Sequence, residues 1–376
     1  YRSAAELQAS LPVIELHQTL PMELFGPQTF TPTPLADATY FGAADGNDAN
    51  PGTIGSPKTY QGAVNAAVNP GDVVFFRGGT LALGGAYDFH FSLWNVGTAA
   101  LPIIYEVYPG ETFIIDGSAI TPGVGNQRRV NFSDSYQKLR GVIIQNMPEY
   151  GAYSGGTSNT IDGCEIRDCK LSGILNTGSS NTFINNWIHD CSDVGLTGGN
   201  YNNGGNADGI SISSGTGNIA KNNLVEGCSD DGIDTWQSIS SVVKYNIVRS
   251  NGLGGGNGNG IKAGGGGVGA SALVDHNLVY SNVQHVIDAN TGVTVTFSNN
   301  TTWNNGGNGY VLESDTIATE NVSIGDGAVK SGTGVPTRNA WNITGTPTFV
   351  STDANSEDFL NLTQTGLFTN IGARYL

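Results

Sequence analysis

The residues best suited to chemistry lie in three short segments between positions 206 and 264. Each segment places a polar residue, a glycine and an isoleucine in succession. The glycines are 23 and then 28 residues apart, and these are lengths of single coils in a stacked solenoid. The three segments are Asn206-Ala-Asp-Gly-Ile210, Ser229-Asp-Asp-Gly-Ile-Asp234 and Gly258-Asn-Gly-Ile-Lys262.

Superposing the segments defines two columns of equivalent positions: Asp208, Asp231 and Asn259 in one, and Ser211, Asp234 and Lys262 in the other. If the coils stack, four carboxylates gather at one edge, with Lys262 one coil beyond Asp234. Carboxylates this close cannot all ionise unaided, because like charges raise each other's pKa. A hard cation would resolve the conflict, and oxygen ligands without His or Cys favour Ca²⁺. Asp-Gly pairs are commonly only turn residues, but their recurrence in successive coils favours a calcium site formed by Asp208, Asp230, Asp231 and Asp234.

Lys262 is the candidate base. A lone lysine is ordinarily a solvated surface residue, but this one shares the Asp234 column and is flanked by glycines that leave room for a polymer. A lysine beside a bound cation is expected to have a lowered pKa, so that it can accept a proton. These parts suit β-elimination on a uronic acid polymer. The cation would bind the C6 carboxylate, Lys262 would take the C5 hydrogen, and cleavage at C4 would leave a 4,5-unsaturated sugar.

A repeat along the chain supplies the coils that would position these residues. Seven segments align from Cys164-Glu-Ile-Arg-Asp-Cys169 to Asn321-Val-Ser-Ile-Gly-Asp326, at spacings of 22, 37, 23, 31, 23 and 21 residues. A period near 22 with two longer steps indicates stacked coils with insertions, and insertions in solenoids collect on the binding face. The repeat predicts an all-β, right-handed parallel β-helix with clear coils over residues 141–326.

Two inward columns follow from the same alignment. Stacked amides at about 4.8 Å can hydrogen-bond to one another along the axis. The cysteines are expected to be small core residues, although stacking leaves disulfide bridging open. A zinc site is not indicated, because no paired Cys-x-x-Cys or histidine cluster is present. The columns are Asn186, Asn223, Asn246, Asn277, Asn300 and Asn321 in one, and Cys169, Cys191 and Cys228, continued by asparagines, in the other.

Composition agrees with many short strands. Glycine makes up 55 of 376 residues and only 13% of residues are charged. We expect residues 1–36 to form an N-terminal extension lying on the body of the protein. We expect residues 37–376 to form a single catalytic domain, with a closing segment over about 327–376. One short helix between Pro57 and Val68 is expected to cap the solenoid.

The net charge of −16 argues against nucleic acid and anionic membranes as partners. No run of about 18 apolar residues is present, so no membrane span is predicted. The chain opens at Tyr1 without a signal-like segment, as a mature secreted protein does, and a monomer is expected. A bridging cation would still allow an acidic polysaccharide to bind.

The acidic coil Ser229-Asp-Asp-Gly-Ile-Asp-Thr-Trp236, preceded by Ala207-Asp-Gly209 and followed by Gly258-Asn-Gly-Ile-Lys-Ala-Gly-Gly265, resembles polysaccharide lyase family 9. That family consists of right-handed parallel β-helix enzymes, chiefly pectate lyases. The resemblance spans roughly residues 38–330. It implies calcium at Asp208, Asp230, Asp231 and Asp234, and Lys262 as the Brønsted base. It leaves open whether the uronan is polygalacturonate, esterified pectin, glucuronan or alginate.

Five further residues are weaker candidates for substrate binding. Trp236 could stack on a sugar ring, and Asp288 falls in the Lys262 column, where it could orient the lysine. The three others are cations on the same or adjacent coils, for which solvation at the surface is the simpler interpretation: Lys221, Lys244 and Arg249.

Three other functions compete with the lyase. A polygalacturonase-type hydrolase would use paired aspartates as acid and base, and Asn206-Ala-Asp208 with Asp230-Asp231 fits that loosely, but the Gly-His-Gly and Arg-Ile-Lys segments of that family are missing. An epimerase would share the abstraction of the C5 proton. A non-catalytic carbohydrate-binding β-helix would explain calcium, but not a lysine in register with the acidic column.

Overall fold

Thirty-two parallel strands are stacked into three long sheets around one axis, so that the chain forms a parallel β-helix. The computed structural model describes residues 30–84, 91–120, 129–266, 269–290, 294–342, 348–352, 360 and 371–373, and the statements below concern these residues. Each regular coil passes through sheet 1, sheet 2 and sheet 3 in turn, and each strand pairs with its equivalents in the preceding and following coils. The predicted all-β solenoid is confirmed.

Most strands are only three to five residues long, because a corner follows each one. Sheet 1 has twelve strands: Tyr40–Gly42, Val73–Phe76, Ile103–Val107, Gln137–Arg140, Thr160–Asp162, Thr182–Ile184, Ile219–Lys221, Ser241–Lys244, Ser271–Asp275, Thr294–Ser298, Ile317–Thr319 and Val335–Thr337. Sheet 2 has ten: Gly79–Gly84, Phe113–Ala119, Ile143–Gln145, Glu165–Arg167, Trp187–His189, Leu224–Glu226, Ile247–Arg249, Leu278–Tyr280, Thr301–Trp303 and Val322–Ile324. Sheet 3 has ten: Phe91–Leu93, Val130–Phe132, Ala152–Ser154, Ile174–Asn176, Ile210–Ile212, Ile233–Asp234, Ile261–Lys262, Ile287–Asp288, Asn308–Leu312 and Ala328–Gly332.

Side chains alternate between the interior and the outside along each strand, as strand geometry requires. The middle residues of sheet 2 strands, such as Ile166, Ile188 and Val225, are fully buried in register above one another. Their counterparts in sheet 1 include Ile161 and Phe183. Stacking therefore builds one continuous apolar core along the axis.

The corner between sheets 1 and 2 is two residues long, and it holds the predicted asparagine column. The backbone N–H and side-chain amide of Asn246 both donate to Oδ1 of Asn277, at 3.0 Å each. The same pattern repeats from Asn186 to Asn339, and each of these side chains is fully buried. We call this stack the asparagine ladder; its members are Asn186, Asn223, Asn246, Asn277, Asn300, Asn321 and Asn339.

The cysteine column is also present at the end of sheet 2. Cys169, Cys191 and Cys228 are buried free thiols, as is Cys164, so none is bridged. The backbone N–H of Cys228 donates to Oδ1 of Asn251, and asparagines continue the column as predicted.

The N-terminal end is closed by the helix Tyr60–Ala66, within the segment where one was predicted. Thr59 caps it, since its hydroxyl accepts the N–H of Gly62 at 3.0 Å. Ala63 and Val64 on its inner face are fully buried in the core. The helix thereby covers apolar side chains that a terminal coil would expose. Two 3₁₀ turns, Leu35–Asp37 and Ala340–Asn342, complete the helical elements of the described residues.

Most of the predicted N-terminal extension, residues 1–29, lies outside the described residues. Residues 30–37 pack on the outer face of sheet 1, where the Thr33 hydroxyl donates to the buried Glu106 carboxylate at 2.6 Å. The described part of residues 327–376 adds a further coil, with strands Ala328–Gly332 and Val335–Thr337. No helix in the described part of the chain is both long and apolar enough to cross a membrane.

Candidate active site

The predicted columns meet at the corner between sheets 2 and 3. The Gly209 N–H donates to the carbonyl of Asp231, and the Gly232 N–H donates to that of Asn259, both at 3.0 Å. Parallel pairing continues from Ser211 to Asp234, Lys262 and Asp288 in successive strands. The structure thus places Asp208, Asp231 and Asn259 in one column and Ser211, Asp234, Lys262 and Asp288 in a second.

Glycine is required between these columns because the backbone there passes close to sheet 2. A Cβ on Gly209 would overlap the Val225 methyl group, and one on Gly232 would overlap that of Val248. The isoleucine that follows each glycine turns into the core and is fully buried. The polar-Gly-Ile pattern therefore has a packing cause, and it sets the outward direction of the next residue, which is Asp234 or Lys262.

Three carboxylates form a compact buried cluster. One oxygen from each of Asp208, Asp230 and Asp231 lies within 4.8 Å of the other two, and all three side chains are buried. Backbone N–H groups hold them in place: Asp231 donates to Oδ1 of Asp208 at 3.2 Å, and Asn257 donates to Oδ1 of Asp230 at 2.5 Å. We call Asp208, Asp230, Asp231 and the neighbouring Asp234 the acidic cluster.

Burial raises the pKa of every carboxyl in the acidic cluster and is the largest cause for each of them. Neighbouring carboxylates raise the pKa values of Asp208, Asp230 and Asp234 further. The pKa values of Asp230 and Asp234 are each raised to about 7. The cluster therefore holds protons near neutral pH unless positive charge is supplied.

Lys262 supplies part of that charge. Its ammonium donates to Oδ2 of Asp234 at 3.0 Å and to Oδ2 of Asp231 at 3.2 Å. Burial lowers the lysine pKa, but attraction to Asp234 and Asp231 outweighs it, so the net pKa is raised. From the sequence we expected a lowered lysine pKa, because a cation was assumed to lie beside the lysine. Without that cation, the carboxylates raise the lysine pKa.

The donor set fits a hard divalent cation. All donors are carboxylate oxygens in a buried cage, which suits Ca²⁺. Oδ1 of Asp234 is buried without a hydrogen-bond partner among the described residues, although such atoms are normally satisfied. This oxygen is therefore available to a ligand. The two oxygens of Asp234 thus differ, because Oδ2 accepts a hydrogen bond from Lys262 and Oδ1 does not.

Asp208, Asp230 and Asp234 of the acidic cluster line an open groove with a volume of about 470 Å³. Trp236 and Lys262 line it, and the lysine nitrogen lies 5.3 Å from the centre of the indole ring. Trp236 also packs against the backbone of Gly266, which leaves 38% of the residue exposed. Its position allows the predicted contact with a sugar.

Both insertions flank the groove, as predicted. The first insertion contains the antiparallel strand pair Thr197–Gly198 and Tyr201–Asn202. Gly204 of the first insertion contacts Gly254 of the second. The fully buried Asp193 carboxylate anchors the first insertion by accepting the N–H groups of Asn202 and Gly204 at 2.6 and 2.9 Å. Sequence reasoning missed Asp193, although it follows Cys191 by two residues as Asp230 follows Cys228.

Three predicted substrate-binding residues lie elsewhere. Lys221 and Lys244 are paired neighbours on the outer face of sheet 1. Arg249 lies on sheet 2, buried in an ion pair with Glu226 at 2.6 Å and a hydrogen bond to Tyr280. None of the three lines the groove above the acidic cluster, since each sheet of a coil faces a different direction. Their role in substrate binding stays a prediction.

Asp288 is in register with Lys262, as predicted, and borders the groove's continuation. The hydrogen bonds of the lysine run to Asp231 and Asp234, on the preceding coil, and Oδ1 of Asp288 instead accepts the Asn290 N–H at 2.8 Å. Sequence reasoning also missed polar groove residues outside the acidic segments. Ser172 and Tyr150 could have been found, since they precede Gly173 and Gly151 as Asp208 precedes Gly209; Ser213 and Asn290 carry no such signal.

The chain is similar in sequence and fold to known polysaccharide lyases. Pectate lyase L of Paenibacillus polymyxa (strain SC2) is 27% identical over 362 residues, covering 88% of this chain and 78% of that protein. Pectate lyase L of Dickeya chrysanthemi is 28% identical, covering 85% and 74%. The solved structure of pectate lyase Pel9A superposes with a TM-score of 0.73 at 23% identity, covering 87% of this chain and 89% of that one. A rhamnogalacturonan lyase structure gives 0.72 at 21%, covering 89% and 99%.

These two structural matches show a shared fold. The family described as "Pel9A-like, right handed beta helix region" matches residues 40–322, which is most of the chain and includes every residue of the acidic cluster and Lys262. The predicted handedness and family are confirmed. This chain belongs to the Pel9A-like right-handed β-helix family.

Proposed function

We propose that this protein is a calcium-dependent polysaccharide lyase that cleaves a uronic acid polymer, most simply polygalacturonate, by β-elimination with Lys262 as the base. The lyase class follows from the family and from relatives named pectate lyases. The observation that carries the mechanism is the contact of Lys262 with Asp231 and Asp234, at the edge of a buried three-carboxylate cage that opens into a groove.

Calcium would be held by Asp208, Asp230 and Asp231, with Asp234 contributing its unpartnered Oδ1. When bound, the cation supplies positive charge that draws electron density from a substrate carboxylate and offsets the carboxylate charge around Lys262. The backbone N–H groups of Asp231, Asn257 and Asn259 keep the carboxylates oriented. The protein is thus organised to hold the ion before substrate arrives.

Lys262 acts on the C5 proton of the bound uronate. Its nitrogen is held by Asp231 and Asp234 and faces the groove. Once deprotonated, the amine takes the C5 hydrogen, the electron pair forms the double bond between C4 and C5, and the C4–oxygen bond breaks. The leaving oxygen takes up a proton as the shortened polymer departs. Trp236 borders the same groove and is partly exposed, so its indole can contact a sugar there.

Hydrolysis is the runner-up chemistry. An inverting glycosidase separates its two carboxyl groups by about 6.5–9.5 Å to admit a water. Oxygens of Asp208, Asp230 and Asp231 instead lie within 4.8 Å of one another, which suits a cation cage. Neither hydrolysis nor simple carbohydrate binding accounts for a lysine inserted between Asp231 and Asp234.

The test is ultraviolet absorbance during incubation with polygalacturonate, with calcium or with chelator. We expect a calcium-dependent rise from the unsaturated product, lost in Lys262→Ala. New reducing ends without absorbance would indicate hydrolysis instead. Epimerised polymer without chain cleavage would indicate an epimerase. If polygalacturonate, esterified pectin, glucuronan and alginate all stayed unchanged, yet polymer still bound, the protein would be a binding module.

We further propose that residues 37–376 work as one catalytic domain, in a secreted monomer. A protein with a net charge of −16 binds an acidic polysaccharide through bridging cations rather than through a basic surface. Sedimentation of the purified protein at several concentrations tests the monomer, and concentration-dependent association would contradict it.

A further inference from the structure

A second pocket lies on the other side of Lys262, one coil farther along the axis. Its volume is about 340 Å³, at the lower end of the ~300–1,000 Å³ typical of small-molecule sites. It shares Lys262, Asn257 and Asn290 with the groove above the acidic cluster. Lys262 therefore stands between two connected pockets, and a polymer running along the axis past the lysine would occupy both.

The two pockets differ in chemistry. The groove above the acidic cluster includes carboxylates and the larger side chains of Tyr150, Leu175 and Trp236. The second pocket is lined mainly by groups that exchange neutral hydrogen bonds, with one carboxylate and, among the described lining residues, no permanent cation except Lys262. Such a lining suits sugar hydroxyls rather than a metal ion. Besides Lys262, its polar residues are Asn257, Asn259, Gln284, His285, Asp288 and Asn290.

His285 continues the column of Asp208, Asp231 and Asn259, since the Gly260 N–H donates to its carbonyl at 3.0 Å. The backbone N–H of Asn308 donates to His285 Nδ1 at 3.2 Å. A backbone N–H cannot accept a hydrogen bond, so in the neutral ring the proton is on Nε2. The structure thereby fixes one tautomer, and it leaves the Nε2–H for a ligand.

We infer that the second pocket binds the sugar next to the one that loses its C5 proton, and that His285 is a positioning residue whose Nε2–H donates to a hydroxyl of that sugar. This inference rests on the proposed lyase function. On one side of Lys262, the groove above the acidic cluster binds the reacting uronate. On the other side, the second pocket binds the adjacent sugar. A substrate that fills both pockets is then held in line with the lysine.

Two substitutions separate binding from folding. His285→Asn keeps an oxygen that can accept the Asn308 N–H but removes the Nε2–H donor. His285→Gln can place an amide N–H near the position of Nε2 but loses the acceptor. We expect His285→Asn to lower kcat/KM on polygalacturonate roughly tenfold, mainly through KM, because one substrate hydrogen bond is lost. Its unfolding temperature should stay near that of the wild type, and His285→Gln should regain part of the activity.

Chain length distinguishes positioning from a structural role. With oligogalacturonates of increasing length, His285→Asn should match the wild type on the shortest one cleaved and fall behind once the second pocket can be filled. His276→Asn, at the corner between sheets 1 and 2, is the matched control and should match the wild type throughout.

Either of two results would overturn the inference: wild-type kinetic constants for His285→Asn at every length, or an equal loss at every length together with a lower unfolding temperature. If the wild-type protein itself formed no unsaturated product, the proposed function would fail, and this inference with it.

Discussion

Two corners of the same coils carry buried polar columns, and they behave in opposite ways. At the corner between sheets 1 and 2, each side chain of the asparagine ladder accepts from one neighbour and donates to the next, at about the same distance throughout. At the corner between sheets 2 and 3, the equivalent stack contains Asp208 and Asp231, which have only acceptors.

The difference lies in the hydrogen bonds that identical stacked side chains can form with one another. An amide has both donor and acceptor, so a stack of amides satisfies itself and stabilises the solenoid. A stack of carboxylates has no such donors: burial raises the pKa values of Asp208 and Asp231, and repulsion adds to the shift at Asp208. The neighbouring Asp234 keeps an Oδ1 without a partner among the described residues. A buried column that cannot satisfy itself is suited to binding a ligand, and this distinguishes the proposed functional corner from the structural one.

The largest effect is expected at Lys262. Lys262→Ala should reduce turnover by a factor of roughly 10² to 10⁴, the range for loss of a general base, with the fold intact. Lys244→Ala on sheet 1 is the matched control and should leave turnover unchanged, because that lysine lies outside the groove. The measurement is the initial rate of each variant, and circular dichroism checks that each variant is folded. Near-normal turnover of Lys262→Ala would remove the lysine from the mechanism.

The asparagine ladder should respond in stability rather than turnover. Asn246→Ala leaves the N–H groups of Asn223 without their acceptor and the carbonyl of Ala220 without its donor. We expect a loss of about 3 kcal/mol in the free energy of unfolding, since each buried unsatisfied group costs ~1–3 kcal/mol. Denaturant unfolding measures this, with activity per folded molecule retained. An unchanged unfolding midpoint would contradict the structural role of the ladder.

A smaller effect is expected from pH. The pKa values of Asp230 and Asp234 are raised to about 7 in the folded protein, so the folded state binds more protons than the unfolded chain. In chelator, stability should therefore fall as pH rises from about 4 towards 7. Asp230→Asn should flatten part of this slope, and calcium should flatten it in the wild type. Thermal unfolding at several pH values tests this, and a wild-type slope equal to that of Asp230→Asn would contradict it.

Much of this contrast could be predicted from the sequence because both columns recur with the coil. The asparagines repeat at the coil period, and the polar-Gly-Ile cores place Asp234 and Lys262 in register without any distance being known. Glycine is the reliable marker, since the close approach to Val225 and Val248 excludes a Cβ at those positions.

Direction around the coil was harder to predict. Lys221, Lys244 and Arg249 fall on the expected coils, yet strands separated by a two-residue corner face different ways. The insertions were located, but not the contacts that fix them, because Asp193 binds backbone groups that no sequence pattern identifies. His285 could have been aligned with Asn259, but its tautomer depends on a hydrogen bond from Asn308, one coil away.

The most direct test is calorimetric titration of calcium into the chelator-treated protein. We expect one site in the wild type, a large loss of affinity in Asp231→Asn, and unchanged binding in Asp168→Asn, which removes the same charge at an exposed position directly after the sheet 2 strand Glu165–Arg167. That result would establish that the acidic corner is completed by an ion. Equal calcium binding by the wild type and Asp231→Asn, or none by either, would contradict the account.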